Sequence, residues 1–97
     1  MTTDWIQRAD AVRATVTAEQ ARAAALLART TDKKLKEWLR LLSAHLGDID
    51  RDLLKHVSNE PGRRPDILVV GAEMMLAACV ADRNAYAHLV DGNAKLI

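Results

Sequence analysis

Leu35, Leu39, Leu42, Leu46, Ile49, Leu53 and Val57 follow one another at spacings of four, three, four, three, four and four. An α-helix, at about 3.6 residues per turn, gathers such positions on one side, whereas a strand would scatter them over both faces. The spacing therefore predicts a helix over about 32–58 with one continuous buried seam close to a coiled-coil register, widened by Trp38, Leu41 and Leu54. Thr30-Thr31-Asp32 supplies three consecutive N-cap candidates just before it, which places the first interhelical turn there. Gly47-Asp48 has the composition of a helix end followed by a new cap. Leu46 and Ile49 nevertheless stay in register across Gly47, and an interior glycine costs only about 1 kcal/mol. One long helix is expected, with Gly47 the point at which it would bend.

A seam of this kind is stable only against other helices, and the flanking segments supply them. Trp5, Ala9, Val12, Val16, Ala23 and Leu26 recur at spacings of three, four or their sum, which predicts an amphipathic first helix over about 3–29. Thr2 or Thr3 would cap it. Within it, Thr15-Val16-Thr17 is a poor helical run and Thr17-x-x-Gln20 has the form of a capping box, so a break near Thr17 competes with a continuous helix.

The third segment, Asp66 to Val90, is the most apolar in the chain: from Ile67 to Ala81 it carries a single charge, Glu73. Pro65 to Gly71 resembles the first strand and turn of a dinucleotide-binding unit, but that fingerprint needs further glycines and more strands to pair with. No other segment reads as strand, so a helix over about 66–91 is expected, ended by Asp91-Gly92-Asn93. On a helical projection most polar residues fall on the stripe Glu73, Ala77, Val80, Asn84, His88 and Asp91. The apolar arc through Ile67, Val70, Met74, Ala78 and Ala81 is wider than one neighbouring helix can cover. Those five positions are the expected interface, with the helix either sandwiched inside a bundle or shared across a homodimer. Between the second and third helices, Ser58 to Pro65 reads as a loop with Pro61-Gly62 setting the turn.

Composition narrows the function classes. Fourteen basic against thirteen acidic residues leave no bulk positive charge with which to grip a nucleic-acid backbone. A single cysteine, Cys79, permits neither an internal disulfide nor a thiolate zinc site, and a reducing, cytoplasmic setting is expected. No apolar run is long enough to span a bilayer, so no membrane association is expected. Asp48, Asp50 and Asp52 alternate like the start of a calcium loop, but Leu53 stands at the glycine position and the terminal glutamate is missing. A solvated acidic face balanced by Arg51 and Lys55 is expected instead. Among the histidines, His45, His56 and His88, none forms a close ligand pair, so no metal or other cofactor is expected.

Arg83-Asn84-Ala85-Tyr86-Ala87-His88 resembles the R-x4-H signature of the HEPN superfamily, all-helical proteins that commonly dimerise and include many metal-independent ribonucleases. The resemblance implies that His88 would do acid-base work on a ribose 2′-hydroxyl, Arg83 would steady the scissile phosphate, and Asn84 would hold the polar orienting position. RNA would then be the substrate. The competing expectation is that Arg83 pairs with a carboxylate on another helix while Asn84 and His88 form the polar edge of a largely buried element. Glu73 has two readings as well, a buried acid or a marker of the solvent-facing line.

The sequence thus predicts one all-α domain over 1–97, an antiparallel bundle of three long helices completed by dimerisation. The expected function is binding another protein as a regulator, inhibitor or assembly factor. The alternative is a HEPN-like ribonuclease or a degenerate relative of one.

Overall fold

The computed structural model describes residues 5–59 and 65–96, with side chains over 5–53 and 67–92. Three helices follow in order: α1 (Trp5–Arg29), α2 (Lys33–Asn59) and α3 (Pro65–Leu96). Each packs against both of the others, giving an elongated all-α bundle of 54 × 23 × 16 Å. The candidate caps at Thr2 and Thr3, the side chains of Leu54, His56 and Val57, and the turn at Pro61-Gly62 lie outside the described residues.

The turn between α1 and α2 is built by its own side chains. Thr30 Oγ1 accepts the amide of Asp32 at 3.2 Å, and Asp32 Oδ1 accepts the amide of Leu35 at 3.0 Å, so Asp32 is the N-cap of α2. The Thr30 amide donates back to the Leu26 carbonyl at 3.1 Å and finishes α1.

Both helices that had a candidate interruption are continuous. In α1, Thr15 and Thr17 turn their hydroxyls onto the carbonyls of Ala11 and Arg13, four residues back, which removes the competition that a capping box would offer. Gln20, the other half of that box, instead reaches across to the Ser43 carbonyl of α2 at 3.3 Å. It lies beside Gly47, where a Cβ would sit 3.4 Å from the Gln20 amide nitrogen.

The seam of α2 is the centre of the core: Leu35, Leu39, Leu42, Leu46, Ile49 and Leu53 are all buried. Trp38 and Leu41, expected to widen it, are instead exposed, and Trp38 stacks on Tyr86 of α3 with ring centroids 6.0 Å apart. From α1 come Ala9, Val12, Val16, Ala23 and Leu26, with Trp5 half-buried against them.

α3 is longer than expected, and of the two arrangements expected for its apolar arc it does not adopt the one sandwiched inside the bundle. It runs on through Gly92 to Leu96, and Asp91-Gly92-Asn93 does not end it. Its contribution to the core is Val69, Ala72, Leu76, Cys79 and Val90, a stripe on the opposite side from the arc expected to be covered. Apolar residues line both sides of α3, so hydropathy alone did not distinguish the stripe that packs inside from the one that faces out.

Side-chain pairs fix the helix directions. Arg8 pairs with Glu73, Glu19 with Arg83, and Arg29 with Asp91, so residue numbers rise together and α1 runs parallel to α3. Arg13 pairs with Asp50 and Gln20 with Ser43, numbers moving in opposite senses, so α2 is antiparallel to α1. The topology is up-down-up, as short connections between sequential helices require.

Candidate interaction surface

Two features of α3 bear on function, one inside the bundle and one outside. Inside, Arg83 occupies the core-facing stripe in register with Leu76 and Cys79. Its Nε donates to Glu19 Oε2 at 2.6 Å and its Nη2 donates to Oε1 at 3.2 Å. Arg22, one turn along α1, donates to the same Oε1 at 2.7 Å. The Glu19 side chain is only 3 % exposed, whereas Arg83 keeps 16 %. The bonds from Arg83 hold the Glu19 carboxyl below the ordinary glutamate value, against the upward pull of burial, with Arg22 adding to them.

Glu19 is the functional-looking group that the sequence pattern concealed. The apolar stripe of α1 steps from Val16 directly to Ala23, a gap of seven, and position 19 is the place in that gap where the stripe would continue. A charged residue in register with a buried stripe is the signal that it carries.

The residues of the R-x4-H pattern are not brought together within the chain. Arg83 turns inward to Glu19, while Asn84 and His88 are exposed on the outer side of α3. Five steps of a helix rotate a side chain by about 140°, which accounts for the separation. Arg83 thus takes the carboxylate partner on another helix that was the competing expectation.

Glu73 proves to be half-buried and paired with Arg8 of α1, whose Nε lies 3.2 Å from Oε2 and whose guanidinium sits 4.7 Å from the Trp5 ring centre. It marks the α1–α3 seam rather than the solvent line. Asp48, Asp50 and Asp52 lie on continuous helix: Asp48 pairs with Arg51, and Asp50 accepts from Arg13 at 2.9 Å. Among the described residues no group of three or more potential ligands is arranged to hold a metal ion. No described helix is long and apolar enough to cross a membrane.

Outside, the five residues of the expected interface, Ile67, Val70, Met74, Ala78 and Ala81, are all exposed along one face of α3. Met74 is 69 % exposed and Ile67 61 %, far more than such side chains retain in a core. Ala77 and Ala85 extend the face, and from Ile67 to Ala85 it carries no charge. On its α2 flank lies an apolar groove of about 490 Å³, walled by Leu53, Leu68 and Met75. A second groove of about 370 Å³ continues it past His45, with Asp48, Asp52 and Asp82 along its rim.

An up-down-up three-helix bundle with a buried ion pair and one long uncharged face is the class that these features define. No family model matches the chain, and neither a curated protein nor a solved structure does.

Proposed function

We propose that the protein acts by binding protein, as a regulator, inhibitor or assembly factor, through the outward face of α3 and without catalysis. The observation that carries this reading is the uncharged apolar stripe from Ile67 to Ala85, exposed along the bundle. Contiguous apolar surface of this length is unusual on a monomer and is characteristic of association sites. The buried ion pair supports the same reading, because it commits Arg83 to holding α3 against α1.

The test compares proteins retained by wild type with those retained by Met74→Glu and by Arg40→Glu, a control on α2. The proposal expects partners, including further copies of the chain, to be lost with Met74→Glu alone. Identical retention by all three proteins would refute it. The alternative, a metal-independent ribonuclease built on Arg83, Asn84 and His88, predicts RNA cleavage without metal that His88→Ala abolishes. Intact RNA, or equal cleavage by both proteins, would rule that reading out.

A further inference from the structure

We infer that the partner on the α3 face is a second copy of the same chain, packed antiparallel, α3 against α3, about a two-fold axis beside Ala78. The inference rests on the reading of that face as a protein interface. It is carried by the order of side-chain sizes. Large residues, Ile67, Val70 and Met74, occupy the first half of the stripe, and small ones, Ala78, Ala81 and Ala85, occupy the second.

An antiparallel two-fold pairs the halves. Met74 falls opposite the partner's Ala81 and Val70 opposite the partner's Ala85, the small pair Ala77 and Ala78 meets at the axis, and Ile67 reaches past the end of the small half-stripe. In an isologous contact each such pair occurs twice, so one complementary half-stripe completes the interface. Large against small is the arrangement that lets two helices interdigitate, and alanines near the axis allow backbones to approach to about 8 Å.

Charge selects this face over its neighbour. Two copies meeting through the α2–α3 groove would bring Asp48, Asp52 and Asp82 of each chain together. On the α3 stripe no charge lies between Ile67 and Ala85. The nearest flanking acids, Glu73 and Asp82, would each lie about 13 Å along the axis from their own copies, at about 1.5 Å rise per residue. That exceeds the roughly 8 Å screening length of physiological salt. The stripe from Ile67 to Ala85 is about 27 Å long.

Light scattering during size exclusion at micromolar to hundred-micromolar concentration is expected to give twice the 10.7 kDa chain mass. Met74→Glu, at a side chain already exposed in the bundle, is expected to weaken the dimer at least about a hundredfold while leaving helix content unchanged. In a Cys79→Ala background, Ala78→Cys is expected to form a disulfide-linked dimer on mild oxidation, whereas Arg40→Cys on α2 does not. A monomer mass over the whole range overturns the inference, as does a dimer that survives Met74→Glu or forms no link through Ala78→Cys. A monomer whose binding to another protein is lost with Met74→Glu overturns the second copy alone and leaves the α3 face as an interface.

Discussion

Arg83 closes a two-pronged grip on Glu19 across 64 residues of sequence, and the carboxylate that it holds is almost completely withdrawn from water. Withdrawing both charges is costly, and their attraction together with the bond from Arg22 offsets that cost. The pair therefore contributes more to alignment than to net stability. With Arg8–Glu73 and Arg29–Asp91 it forms three rungs between parallel helices, and sliding α3 by one turn along α1 would break all three.

Removing one partner is consequently worse than removing both. Arg83→Leu leaves the Glu19 carboxylate buried with Arg22 alone, and a loss of about 3–5 kcal/mol is expected. Glu19→Leu combined with Arg83→Leu is expected to recover most of it. Urea unfolding of the two single variants and the double variant measures the difference, and additive losses would show that the pair is not coupled.

The same carboxylate makes stability depend on pH. Arg83 lowers its value in the folded protein below the ordinary 4.5, so the unfolded chain takes up a proton first as pH falls. Stability from this group is fully present above 4.5 and is lost as pH drops through the lower, folded value. Glu19→Gln lacks this dependence. The difference between wild-type and Glu19→Gln unfolding free energies is expected to shrink with acidification below 4.5 and to stay flat above it.

Gly47→Ala is expected to stabilise the protein. A methyl group there meets only the tip of Gln20, a side chain able to shift slightly, at 3.4 Å. Replacing glycine by alanine inside a helix is worth up to about 1 kcal/mol. For a domain of this size that raises the melting temperature by at most about 4–8 °C, and a lowered melting temperature would contradict the expectation that Gln20 can shift aside.

Cys79 is expected to react slowly. Burial against the core pushes its thiol above the usual value, and the nearby charges of Asp82 and Glu19 push it further. Modification by an aromatic disulfide reagent at neutral pH should run far below the free-cysteine rate and accelerate through the urea transition. Reaction at the free rate in buffer would contradict the packing of α3.

The legible parts of the chain were those with a single apolar side. The α2 seam reads directly from its spacing, and so does the α1 stripe apart from Glu19, whose burial depends on an arginine 64 positions away. For α3 the sequence offered two apolar sides. The inward one is settled by Arg8 and Arg29 meeting Glu73 and Asp91, contacts between distant residues that no local pattern contains. The R-x4-H spacing is equally local, and it carried no information about which way Arg83 turns.

The capped turn at Thr30 to Asp32 has a kinetic consequence. Joining α1 to α2 closes a very short loop, whereas bringing Glu19 to Arg83 closes one of about 64 residues at a larger entropic cost. Contacts between α1 and α3, the Glu19–Arg83 pair among them, therefore belong after the closure of neighbouring helices onto one another. Interactions made after the barrier chiefly slow departure from the native state, so substitutions at Glu19 should alter how long the bundle stays closed more than how quickly it forms.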